Sequence, residues 1–247
     1  MLVVLPPSET KRDGGTDDRL DVSSLRFARL RPRRAELVRA VRTLARDREA
    51  TIAALKLGRT QYDEIDRNRR LTLSPTMPAL DRYTGVVFDA IDAPTLTADA
   101  LGFAGEHVVI QSALFGPIGA LDRIPAYRLS HDSRLPGVSL KKHWGPGGSR
   151  ALLDEPGLLL DLRSEGYVAL SPVNDRPNSY FLRVLTVGDD GAVRALNHFN
   201  KTAKGRLTRA LLDAGISFDA VDDLIDWARA AGFDLTRSGP AELSLVV

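Results

Sequence analysis

The chain has 247 residues, 43% hydrophobic and 27% charged, the balance of a soluble globular protein with a sizeable core. It contains no cysteine, which excludes disulfides, thiolate chemistry, Cys-ligated iron–sulfur clusters and Cys-type zinc sites. No run of about 18 apolar residues offers a membrane span, and with a net charge of only +2 the distribution of charge matters more than its sum.

In chain order, Met1–Leu5 reads as a buried first strand, not a signal peptide, because no basic region precedes it and Pro6-Pro7 cuts it short. A polar loop from Ser8 to Asp18 follows, with Gly14-Gly15 at its centre. Leu37, Val41, Leu44, Ile52 and Leu55 recur at near-helical spacing, so 35–57 is expected to be one helix ending at Gly58. Short helices are expected over 62–69 and 97–101, the second capped by Thr95 or Thr97, with Pro75 and Pro78 breaking the chain before 79–83. The apolar runs 107–110 and 158–162 read as buried strands. Segments 180–187 and 192–199 flank Gly188-Asp189-Asp190-Gly191, a hairpin signal. Asn200 is expected to cap a helix reaching Ala214, 219–231 an amphipathic helix stopped by Gly232, and 243–247 a closing strand. Helices and strands interleave without a regular βαβ count, which predicts one α+β (mixed α/β) domain over 1–247.

Several segments carry candidate chemistry. Lys201 and Lys204 stand one turn apart at the start of the helix after Asn200, against the helix dipole. Either a phosphate or carboxylate partner offsets that cost, or both side chains point into solvent. Arg128, between Tyr127 and Leu129, suits phosphate binding or a buried ion pair. Ser8 and Lys11 follow the first strand, where loops commonly face a ligand crevice, though a plain surface loop fits too. Gly116-Pro117-Ile118-Gly119 invites comparison with the hairpin of a helix–hairpin–helix, whose N–H groups meet DNA phosphate; the alternative is a packed turn. Ser112, Asp161 and Ser164 lie at strand ends, without GxSxG, Walker A or GxGxxG around them. Arg-rich 26–48 reads as a solvated face or a nucleic-acid footprint, with Asp47 and Glu49 partly neutralising it. His107, His131, His143 and His198 show neither HxxxH nor HxH spacing, so neither a metal nor another cofactor is expected.

These segments, taken in order, resemble the YaaA family of bacterial peroxide-stress proteins across nearly the whole chain. The resemblance rests on Leu5-Pro6-Pro7-Ser8-Glu9-Thr10-Lys11, Tyr83-Thr84-Gly85, the block from Ser112 to Leu129, Trp144, Leu162-Arg163-Ser164-Glu165-Gly166-Tyr167 and Phe199-Asn200-Lys201-Thr202-Ala203-Lys204-Gly205. The lysine of the first loop sits two places later than in many relatives, and 141–150 is Gly/Pro-rich where the family has a helix. The resemblance implies a cytoplasmic protein that limits iron-dependent oxidative damage under peroxide, with a compact mixed fold, a helix–hairpin–helix-like element and a positive cleft consistent with duplex DNA. Ser8, Lys11, Arg128, Lys201, Lys204 and Arg209 are the candidate DNA- or phosphate-binding residues. The competing expectation is an enzyme acting on a phosphorylated small molecule or nucleotide. The same residues, with Ser112, Tyr127, Asp161, Ser164 and Tyr167, would then line one pocket.

Overall fold

A computed structural model describes residues 1–174, 176–187, 193–194 and 197–247. Its core is a mixed sheet whose strands, in spatial order, are β4 (Gly116–Gly119), β3 (Val108–Ser112), β1 (Leu2–Leu5), β6 (Leu159–Asp161), β7 (Ser179–Val187), β10 (Glu242–Val246) and β9 (Asp234–Gly239). Strands β3, β1, β6, β7 and β10 run parallel, while β4 and β9 close the two edges antiparallel. A short β8 (Val193–Arg194) pairs with β7, and β2 (Met77–Pro78) with β5 (Arg123–Ile124). The fold is mixed α/β.

Alternation along β1 divides the core. Val3 and Leu5 join the large cluster with Ile110, Leu160, Leu207 and Leu211. Leu2 and Val4 point the other way, into a smaller cluster with Val109, Leu159 and Leu152. Leu207 and Leu211 belong to α9 (Asn197–Ala214), and Leu152 to α7 (Leu140–Leu153). Helices therefore cover both faces, as parallel strands require.

Several elements depart from their sequence pattern. The expected helix over 35–57 is two, α1 (Arg31–Leu44) and α2 (Arg48–Leu55), because the Asp47 carboxylate caps α2 by accepting from the Ala50 N–H at 3.0 Å. The helix capped by Thr97, α6, runs to His107, well past 101. Residues 140–153 form one helix despite Pro146 and three glycines, anchored by the buried Trp144, whose Nε1 donates to Ala113 O at 2.8 Å. Helix α9 starts at Asn197, so 197–199 is not strand as expected; the turn 188–191 lies outside the described residues. The remaining helices are α3 (Asp63–Arg69), α4 (Ala79–Arg82), α5 (Val86–Ile91), α8 (Glu165–Val168) and α10 (Val221–Ala230). Segment 116–119, compared above with a DNA-binding hairpin, is β4: fully buried, paired along its length with β3, and packed under Trp144 at Gly116.

Candidate functional site

Strand β1 leads away to its parallel neighbour β3, whereas β6, on its other side, leads to β7. The chain thus diverges at the carboxyl ends of β1 and β6, the point where open parallel sheets place ligands. Residues 6–11 leave β1 there and residues 162–164 leave β6.

The loop after β1 folds back over a buried polar network. Lys11 keeps only 7% of its surface, and its Nζ donates to Ser8 O (2.9 Å) and Glu9 O (3.2 Å). It lies 4.1 Å from the centre of the Tyr127 ring and 5.3 Å from that of Tyr83. Among the described residues it forms no ion pair. Burial pulls its pKa down to about 7, with Glu64 acting in the opposite sense. Ser112, at the end of β3, accepts N–H donors from Leu114 (3.0 Å) and Phe115 (2.9 Å) and bonds the Tyr127 hydroxyl at 2.7 Å. The Tyr127 hydroxyl also bonds that of Tyr83 at 2.7 Å. Burial raises both phenols' pKa values. Arg128 is buried and pairs with Glu9. Tyr167 is buried edge-to-face on His131, and burial, then the nearby Tyr127, raises its pKa.

The wall of the crevice comes from a helix pair. Gly85, at φ +97°, would put a Cβ 3.2 Å from Ser8 Oγ and 3.3 Å from Thr10 Oγ1, so the start of α5 sits directly on the loop. Gly205 of α9 meets Val87 O, and Arg209 reaches Ile91 O (3.1 Å) and Thr95 Oγ1 (2.6 Å), so α9 and α5 run in the same direction. One turn before Gly205, on the same face of α9, stands the exposed Lys201. Ser8, Thr10 and Gly85 therefore meet in the loop that folds over Lys11.

Asp161 and Lys204 form a second group beside the first. The Asp161 carboxylate takes a two-pronged bond from the fully buried Arg163 (2.8 and 2.6 Å) and accepts the Arg163 N–H. Lys204 is buried 5.4 Å from the Phe181 ring centre; burial lowers its pKa to about 8, and Asp161 raises it. Ser164 is the residue before α8, its carbonyl accepting from Tyr167 and Val168 at 2.9 Å. Arg209 faces the far end of α5 and does not reach the loop after β1.

Sequence reasoning had not singled out Glu9, Thr10, Tyr83, Gly85 and Arg163 as site residues. Tyr83 and Gly85 lie in the Tyr-x-Gly motif, which was the available signal. Among the described residues, no group of three or more His, Asp or Glu is placed to hold a metal ion.

These features define a mixed α/β protein with a buried polar network beside its topological switch point, drawn from the loop after β1, the end of β3, Tyr83 and Tyr127. Residues 1–238 match the family described as peroxide stress protein YaaA, and the chain belongs to that family. It is similar to a UPF0246 protein of Corynebacterium glutamicum, 41% identical and covering 94% of this chain and 93% of the relative. A UPF0246 protein of Streptomyces coelicolor is 34% identical, covering 98% and 94%. One of Bacteroides thetaiotaomicron is 27% identical, covering 81% and 86%. Among the described residues no helix is long and apolar enough to cross a membrane.

Proposed function

We propose that the protein serves in the cytoplasmic peroxide stress response by holding a phosphorylated small molecule or nucleotide in the crevice between the ends of β1 and β6, and so limits iron-dependent damage. Family membership supports the peroxide-stress part of this reading. The ligand class follows from one observation: most of the candidate cations are buried. Lys11, Arg128 and Lys204 each keep less than a tenth of their surface. A duplex backbone is tracked by exposed Lys and Arg; a small anion is enclosed by a few convergent polar groups. In this reading Ser8, Thr10 and Lys201 form the mouth and supply two hydroxyls and a cation for a phosphate. Lys11 holds the loop in shape through its carbonyl bonds.

Duplex DNA is the second reading, favoured by the exposed Lys201 and Arg206 on α9. Thermal shift with inorganic phosphate and a nucleotide panel, beside duplex binding across a salt series, separates the two. The small-ligand reading expects a concentration-dependent rise in Tm, weakened roughly tenfold in affinity by Lys201→Ala, the worth of about one charge-assisted hydrogen bond. No shift across the panel, together with duplex binding that falls steeply with salt, would overturn it in favour of DNA.

A further inference from the structure

The hydroxyl chain under the crevice contains one proton too many. Ser112 Oγ accepts two backbone N–H donors, which occupies its lone pairs, so its own proton goes to Tyr127. The link between Tyr127 and Tyr83 uses one phenolic proton. Three hydroxyls share two links, which leaves one phenolic proton without a protein acceptor among the described residues. Both tyrosines are almost wholly buried, Tyr83 at 2% and Tyr127 at 1%, and a buried donor in that position calls for a partner. The amine of Lys11 lies against the same two rings. Its two carbonyl acceptors match the two protons of a neutral amine, leaving the lone pair free.

An amine and a spare phenolic proton within one buried cluster are the pair of groups that carbonyl condensation requires. We propose that Lys11 is a nucleophile that forms an imine with a carbonyl-bearing phosphorylated substrate, the phosphate being held at the mouth as proposed above. The Nζ lone pair attacks the carbonyl carbon as the C=O π pair moves to oxygen, which takes the spare phenolic proton. The nitrogen loses its extra proton to the phenolate, giving a neutral carbinolamine. The C–O bond then breaks with proton transfer from the phenol, water departs, and loss of the remaining N–H proton returns the phenol and leaves the C=N bond. No oxidant or reductant enters. Burial, which favours the uncharged amine near neutral pH, supports the assignment.

The test treats the intact protein with pyridoxal 5′-phosphate, a phosphorylated aldehyde, reduces with borohydride and maps the modified lysines by mass spectrometry. Lys11 is expected to be modified first, ahead of Lys56, Lys141, Lys142, Lys201 and Lys204, and inorganic phosphate is expected to protect it. The double variant Tyr83→Phe with Tyr127→Phe, which removes both phenolic proton donors and keeps the rings, is expected to slow its modification at least about tenfold. Modification of exposed lysines with Lys11 untouched overturns the proposal, even where phosphate raises Tm and the binding reading stands. Lys11 modified without phosphate protection keeps the nucleophile and sinks the phosphate mouth.

Discussion

Two basic regions of this protein use their charge in opposite ways. In the Arg-rich stretch 26–48, the guanidinium groups that face inward serve as multi-pronged fasteners. Arg34 is fully buried and donates to four carbonyls: Phe115 (2.9 Å), Leu25 (3.2 Å), Arg26 (2.6 Å) and Pro117 (2.8 Å). Arg26 pairs with Glu155 and Arg29 with Asp154, both at 2.6 Å, and Arg33 donates to His143 O at 2.6 Å. Together they fasten the segment to β4 and to helix α7 and the turn after it. Arg suits this task because its planar fork saturates several acceptors at once and stays charged when buried. The crevice instead uses lysine, a point donor whose charge yields to burial. Arg-rich sequence thus marks architecture here, and the sparser lysines mark the candidate chemistry.

The contrast is broken most severely at Arg34. Arg34→Met keeps most of the apolar volume but strips four buried carbonyls of their donor, with a cost of about 4 kcal/mol expected from the loss of several buried hydrogen bonds. Urea unfolding measures it. A loss below about 1 kcal/mol would mean that water replaces the guanidinium, and the fastening role would fail.

The lysine side is sharpened by pH. The Lys11 pKa is about 7 in the folded chain, against about 10.4 for an unfolded lysine. Between these values the unfolded chain binds more protons than the folded one, so stability rises with pH through this window; below pH 7 both forms are protonated and the effect vanishes. From pH 7 to 9 the gain is on the order of 2 kcal/mol. Lys11→Met should flatten that rise, leaving the part due to Lys204, whose pKa of about 8 acts in the same direction. Parallel pH–stability curves for the wild type and Lys11→Met would show that Lys11 stays charged when buried, contrary to its assigned role.

The same contrast explains how much was legible in sequence. Apolar runs located β1, β3 and β6, and caps or glycines bounded α6, α9 and α10, because those signals are local. The division of α1 from α2 was hidden because the helical period continues through the break at Asp47. Edge strand β9 was missed because five of its six residues are not buried, so no core-facing alternation appears. Ser112, Tyr127 and Lys11 each stood out singly, but a lysine in a polar loop reads as solvated. Tyr83, bridged to Lys11 across the fold, and Tyr127 enclose it. Burial created by partners distant in the chain leaves no mark on the local pattern.

The smallest expected effect is the most direct check on which basic region meets an anion. Arg39 and Arg46 are exposed on α1 and just beyond it, within the Arg-rich stretch read as a solvated face or a nucleic-acid footprint. Exposed charges away from any partner contribute little to stability, so Arg39→Gln with Arg46→Gln should shift it by less than about 0.5 kcal/mol. The double variant should also leave the phosphate-induced Tm shift unchanged, because neither residue lies on an element that borders the crevice. Duplex binding at low salt is the more demanding readout. Each phosphate contact adds roughly 0.9 to the slope of log affinity against log salt, so two lost contacts would reduce it by about 1.8. An unchanged slope leaves this face as solvated helix. A slope reduced by that amount would make α1 an anion-binding surface, and the division between arginines that build and lysines that bind would no longer hold.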